Sequence, residues 1–446
     1  MDKKKIKLPI LITIVITVMF LYIQSINVKS SIGTISLRGT EQSINKSHLE
    51  QIKIIEADLN KLTSQEFMGR LTGTRGNEKA GEYLVDRFRE IGIKPFNKNQ
   101  YFHEFDQEVY YPDRSEHYMK IIFKDGSEKV CEYGKDYIDQ IRLSTVDLKC
   151  QVVMDKKELA SRTTGEIAIV VDDDSINKNM FRSNTKAILR KRKDFFGVPQ
   201  IAHRGAAYIQ IDDKLYDEMF EKKAKEVIIK SRYKTNNSTV KNIIGKIPGK
   251  KKEKAFIISA HFDHVGWDGD IMFPGAIDNG SGTVAILNIA EQLVNGKELE
   301  NDTYICGFNG EEFGLFGSRA FANHIKDKYS EIIVINIDCI GKINGKRLGI
   351  HGDASKNDIL KKDMKSILDK KNIDNFTGTI PNSDHSSFSH DGMYSISLIQ
   401  ENLFKEGESI HTPKDSTELV DYEYLKKICD VVVEFIYEFQ NKSYIE

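Results

Sequence analysis

The sequence predicts an α/β fold: a mostly parallel, mixed sheet sandwiched by helices, with a smaller β-rich domain inserted into it. Three observations carry this. Between residues 255 and 439, short apolar strands alternate with helical segments, the pattern of strand–helix–strand units around a largely parallel sheet. From about Gln100 to Ser238 the character changes to short runs in which aromatic and β-branched residues alternate with charge, as in Tyr118–Phe123, Ile167–Val171 and Val227–Ile229. In the second half, an imidazole or carboxylate comes after strand upon strand, and functional residues of open α/β sheets gather just beyond the strands' carboxyl ends.

Residues 1–24 come first. Lys3, Lys4, Lys5 and Lys7 precede an uncharged apolar stretch from Leu8 to Ile23, a positive region leading into a hydrophobic one. The stretch is long for a cleaved signal peptide and slightly short of the roughly 20 residues of a spanning helix, and no small-x-small cleavage site comes after it. An uncleaved membrane anchor is the favoured reading over a signal peptide. Either places the rest of the chain outside the cytoplasm, membrane-anchored or secreted, because the lysines stay inside.

A polar linker covers 25–48, and residues 49–100 form the first part of the main domain. Leu49, Ile52, Ile55, Leu59 and Leu62 repeat at helical spacing. Next comes a glycine-marked loop, Ser64–Gly76, and then a helix from Asn77 to Ile91, closed by Gly92 and Pro95. The insertion takes 101–240, and 241–446 forms the main part. There the expected strands are Ala255–Ala260, Thr303–Phe308, Ile332–Ile337 and Ser395–Ile399. The expected helices are Thr283–Leu293, Leu315–Ile325, Asn357–Lys370 and Tyr422–Phe439.

Charge excludes one class of partner. The 65 Lys and Arg nearly balance the 66 Asp and Glu, leaving a net charge of -1, whereas nucleic-acid binding needs a concentrated cationic excess. The short clusters Lys250–Lys254 and Arg190–Lys193 read as solvated faces. The five cysteines, at 131, 150, 306, 339 and 429, form no Cys-x-x-Cys pair, which argues against a thiolate metal site and against a disulfide framework.

The chemistry lies just past the end of each strand. After the first comes His261-Phe-Asp-His264. After a short loop, Gly275-Ala-Ile-Asp-Asn-Gly-Ser-Gly282 opens a helix. After the second comes Asn309-Gly-Glu-Glu-Phe-Gly314, the third ends in Asn336-Ile-Asp338, and Ile410-His-Thr-Pro413 lies beyond the fourth. Singly, each motif has an ordinary explanation, such as a helix cap or a solvated acidic pair. Together they set two histidines and three or four carboxylates on one sheet edge. Such donors suit two zinc ions sharing one aspartate, each completed by one histidine and one further carboxylate. A further carboxylate outside the ligand set is needed to carry the proton, and the neighbours Glu311 and Glu312 supply one residue for each task.

These motifs resemble the co-catalytic dizinc aminopeptidases of metallopeptidase family 28. His261-Phe-Asp263, Asp278-Asn-Gly-Ser-Gly282, Glu311-Glu312, Asn336-Ile-Asp338 and His411-Thr412 stand in the family's order. Gly69–Thr74 and Asn242–Gly249 are similar to its flanking segments. The resemblance implies a zinc-peptidase α/β/α fold and two Zn2+ per chain. It implies hydrolysis of the N-terminal bond of peptide substrates by a metal-bridged hydroxide. Asp278 would bridge, His261 and Asp338 would complete one site, and Glu312 and His411 the other. Glu311 would be the general base, and Asp263 would orient His261. A cis peptide is implied at Asp278–Asn279. The insertion resembles a protease-associated domain, acting as lid or substrate-positioning wall. Where some members place an oxyanion-stabilising Tyr near Ser-Asp-His, the stretch from Gly378 to Phe388 has none, and His385 is the candidate donor. His264 matches no ligand position. The alternatives on the same fold are a glutaminyl-peptide cyclotransferase, with one zinc, and a carboxypeptidase.

Overall fold

The computed structural model describes residues 47–112, 117–139, 145–155, 159, 164–172, 182–197, 206–404 and 410–445. The apolar N-terminal segment, and all of the linker but its helical residues 47 and 48, lie outside the described residues. Among the described residues, no helix is long and apolar enough to cross a membrane.

The main sheet is mixed, as the sequence predicts. Its first strands are β1 (Lys94–Pro95) and β2 (Phe102–Pro112). They are preceded by helix α1 (Arg75–Ile91), which begins two residues before the expected Asn77 because Thr74 caps it, its side chain accepting from the Asn77 amide. Gly92, in the left-handed region at φ 89°, ends it by donating to the Phe88 and Arg89 carbonyls.

The chain then builds a second, eight-stranded sheet. Its strands are β3 (Tyr118–Phe123), β4 (Glu128–Cys131), β5 (Tyr137–Asp139), β6 (Val146–Val153), β7 (Ile167–Val171), β8 (Thr185–Lys191), β9 (Ala207–Ile211) and β10 (Ala224–Ser231), with helix α2 (Asp213–Glu221) between the last two. Met119, Ile121, Val170, Leu189, Ile209, Leu215 and Val227 are buried together in its own core.

The return strand β11 (Tyr233–Ile247) pairs antiparallel with β2 along its length, so this ribbon belongs to the main sheet. The rest of that sheet is built from β12 (Lys251–His261), β15 (Asn301–Phe308), β16 (Glu331–Asp338), β17 (Leu348–His351), β18 (Asn375–Gly378) and β19 (Tyr394–Gln400); a small hairpin, β13 (Trp267–Asp268) with β14 (Ile271–Met272), lies between β12 and β15. The spatial order is β1-β11-β15-β12-β16-β19-β17-β18. The four strands β15-β12-β16-β19 are mutually parallel. Antiparallel pairings flank them: β11 against β15 on one side and β17 against β19 on the other.

Helices cover both faces: α3 (Gly282–Val294), α4 (Phe316–Ile325), α5 (Asp358–Lys370), α6 (His385–His390) and α7 (Tyr422–Phe439). The period of two explains why β12 and β16 read as unbroken apolar runs. Phe256, Ile258, Ile333 and Ile335 pack with Val284, Leu287, Leu425 and Val432 of α3 and α7. Their neighbours Ala255, Ile257, Ile332 and Val334 pack with Phe321, Ile325 and Phe388 of α4 and α6.

Candidate metal centre

Parallel pairing brings the reactive residues together. β12 sits between β15 and β16, with His261 opposite Phe308 and Ser259 opposite Asn336, so all three strands end on one edge. His261 ends β12 and Asp338 ends β16. Glu311 and Glu312 lie in the turn after β15, Asp278 in the helical turn Ala276–Ser281 leading into α3, and His411 in the loop after β19. The Asp278–Asn279 peptide bond is cis.

The two oxygens of Asp278 face two different imidazoles. Its Oδ1 is 3.4 Å from His261 Nε2, which is also 3.5 Å from Asp338 Oδ1. Its Oδ2 is 2.8 Å from His411 Nε2, which is 3.3 Å from Glu312 Oε2. Donors at about 2.0–2.1 Å around a tetrahedral ion stand roughly 3.3 Å apart, so three of these four separations are tetrahedron edges. The donor atoms of His261, Asp278 and Asp338 lie within 4.8 Å of one another, and so do those of His264, Asp278, Glu312 and His411. Both groups fit a divalent cation bound through nitrogen and oxygen.

The electrostatics favour positive charge. Burial works against charging His261 and His411, yet the surrounding carboxylates hold both well above the usual imidazole pKa: Glu311, Asp338 and Asp278 for the first, Glu312 and Asp278 for the second. Burial, reinforced by neighbouring carboxylates, pushes Glu311 well above the usual range. Glu312 moves the opposite way, because His411 and His264 overcome its burial.

Each donor is held by a support. The His261 Nδ1 lies 3.2 Å from the Asp263 carbonyl and 3.7 Å from its carboxylate. That carboxylate accepts from Thr72 Oγ1 at 3.0 Å and from the Glu311 and Glu312 amides at 3.3 and 3.4 Å. The carboxylate of Asp263 thus lies closer to the acidic turn than to the imidazole, which its carbonyl meets instead. Burial raises its pKa to about 6. Ser383 donates to Asp338 Oδ2 at 2.7 Å and accepts from Asn336.

Two supports, Asp415 and Arg70, escaped the sequence reading, and His264, which matches no ligand position there, is a third. Asp415 accepts from the Ile277 and Asp278 amides at 2.7 and 3.1 Å, fixing the backbone of the shared aspartate. Arg70 is fully buried and donates to the carbonyls of Leu62, Phe262, Pro274 and Gly275, tying the opening loop under the site. His264 Nδ1 lies 2.8 Å from Glu312 Oε1, leaving Oε2 turned to His411. Only the nearness of His264 to His261 in sequence could have flagged any of them. His385 is buried, with Nε2 3.3 Å from Asp353 Oδ1.

Residues 242–436 match the model of Peptidase family M28. A probable leucine aminopeptidase of Arthroderma otae is 33% identical over 203 residues, 43% of this chain and 56% of that protein. Aminopeptidase YwaD of Bacillus subtilis is 31% identical over 233 residues, 49% of each chain. The chain thus spans about half the length of the curated relatives it matches. Among solved structures, a zinc aminopeptidase from Bacillus subtilis superposes with a TM-score of 0.65 at 21% identity, covering 87% of this chain and 94% of that one. A Peptidase M28 precursor from Shewanella amazonensis gives 0.63 at 14% identity, covering 90% and 97%. The fold is shared along nearly the whole of those chains, and the part of this chain that matches the Peptidase family M28 model is residues 242–436.

Proposed function

We propose that the chain is a dizinc aminopeptidase that hydrolyses the N-terminal peptide bond of peptides. The observation that carries this reading is the placing of Asp278 Oδ1 and Oδ2 against His261 and His411. His261 and Asp338 would hold one zinc with Asp278, and Glu312 and His411 the other. Two zinc ions there would supply Lewis acidity for the scissile carbonyl and lower the pKa of the attacking water. Glu311 stays outside the ligand set and serves as the general base. One of its carboxylate oxygens takes a proton from the water as the new C–O bond forms, then gives it to the leaving amine nitrogen as C–N breaks. Asp263 holds Glu311 and Glu312 through their amides, and so keeps base and ligand in register. His385 is the candidate oxyanion donor and would have to leave Asp353 to act. The Lys-flanked apolar segment at the N-terminus supports a place outside the cytoplasm, membrane-anchored or secreted.

The test is metal analysis of the purified chain together with assays on aminoacyl amides and on N-acetylated and C-terminally blocked peptides. Two zinc per chain and cleavage that requires a free amino terminus are expected. One metal with cyclisation of glutaminyl peptides would reassign the site to a cyclotransferase. Release of the C-terminal residue would make it a carboxypeptidase.

A further inference from the structure

The two candidate histidines are oriented from different places. The His261 Nδ1 is held by the carbonyl of Asp263, two residues along its own segment. The His411 Nδ1 lies 2.9 Å from the carbonyl of Gly197, which belongs to the segment between β8 and β9 of the eight-stranded sheet. A carbonyl can only accept, so Nδ1 carries the hydrogen and Nε2 is turned towards Asp278 and Glu312.

The segment that supplies this carbonyl is itself clamped. The Gly197 amide donates to the His411 carbonyl at 2.7 Å, making the contact reciprocal. The Phe196 ring stacks on the His411 imidazole, with centroids 5.2 Å apart and planes 23° apart. Gln210, buried in β9, holds Phe196 by both main-chain groups: its Oε1 accepts from the amide at 2.7 Å and its Nε2 donates to the carbonyl at 2.6 Å. Beneath, Phe195 and Ile138 pack in one core with Val265 and Phe273 of the loop beyond His264. A Cβ on Gly197 would sit 2.7 Å from Val265 Cγ2, so only glycine lets the segment approach this closely.

We infer that the eight-stranded sheet is an orienting part of the metal centre: through Gln210, Phe196 and the Gly197 carbonyl it aims His411 at the shared aspartate. Gln210, Phe196 and Gly197 are positioning residues that act through His411. The inference rests on the reading of His411 as a ligand, and goes beyond a lid or a wall for substrate. The two half-sites then differ in what holds them: His261 is oriented from its own segment, and His411 from the eight-stranded sheet.

The test is stepwise Co2+ titration of the metal-stripped full-length chain, monitored by d–d absorption and calorimetry, beside thermal unfolding of the metal-free form. Wild type takes two equivalents, and His411→Ala loses one; if either fails, the ligand reading falls. Given both, Gln210→Leu and Gly197→Ala each weaken that same equivalent by about 10–100-fold and change its absorption band, leaving the other intact. Val265→Ala added to Gly197→Ala restores part of the affinity by removing the shortest clash and leaving only the 3.2 Å contacts with the Phe273 ring. Phe196→Leu takes the place of Gln210→Leu if that variant does not fold. Wild-type affinities and spectra in these variants, whether or not their metal-free stability falls, would overturn the inference.

Discussion

The same strands carry opposite electrostatics at their two ends. At the amino end of β15, Asp302 is buried and saturated: Lys246 and Lys252 approach to 2.6 Å, the Gly249 amide to 2.9 Å and the Tyr329 hydroxyl to 2.8 Å. Burial works against its charge, but these donors bring its pKa down to about 2. At the amino end of β16, Glu331 faces Lys254 and accepts from the Tyr444 amide. At the carboxyl ends, Asp278, Glu312 and Asp338 have histidines as their ion-pair partners. One end has neutralised its charges for stability. The other gathers acceptor oxygens that could hold a cation, and the family match covers the strands between them.

The largest effect should come from breaking the shared aspartate. Asp278→Asn forfeits several kcal/mol of transition-state stabilisation, so activity should fall at least about 10⁴-fold. Metal analysis of that variant should show both half-sites weakened, and two metals bound at wild-type affinity would refute the bridging role. Glu311→Gln tests the unligated carboxylate. It should lower kcat about 10³-fold, with metal content unchanged. Full activity in this variant would remove Glu311 from the mechanism.

Smaller effects sharpen the contrast. His264→Ala should weaken the Glu312–His411 half about 10–100-fold and spare the other; equal loss at both halves in a Zn2+ titration would count against its role. Metal affinity should also depend on pH. Because His261 and His411 hold protons well above the usual imidazole pKa when metal-free, a cation must displace them. Affinity should therefore fall as pH drops, up to about tenfold per unit for each ring, with matching proton release in calorimetry.

The smallest effect is reserved for the opposite end. Asp302→Asn should cost about 1–3 kcal/mol in denaturant unfolding at neutral pH and leave metal binding unchanged. Its folded pKa is below the ordinary 3.8, so its contribution is present above pH 4 and fades as pH falls towards 2. The acid limb of the stability curve should flatten in the variant; an unchanged curve would mean that Asp302 stabilises nothing.

The grouping of the candidate donors was legible because such chemistry demands particular side chains gathered at one sheet edge. His261, Asp278, Glu312 and Asp338 each stand beside a strong strand or helix signal, and His411 lies in the loop that comes after β19. The central strands were legible because burial on both faces makes continuous apolar runs. The edges were not: β17 and β18 are four residues each. The β2–β11 ribbon crosses the expected limits of the insertion, since its alternating pattern resembles that of the strands beyond it. Arg70, Asp415 and Gly197 act through main-chain groups far away in sequence. An arginine that binds four carbonyls leaves no spacing signal, and neither does a glycine required by the side chains of Val265 and Phe273.

The spread of the site from His261 to His411 has a consequence in time. At about 5–20 residues per second, a ribosome needs roughly 8–30 s to pass from the first of these histidines to the last. The eight-stranded sheet and the first strand of the parallel core precede that interval. A nascent chain therefore reaches its last imidazole only after the segments proposed to orient it have been synthesised. The order of the motifs along the chain makes the synthesis of the His411 segment, and not that of His261, the point from which the candidate centre can assemble.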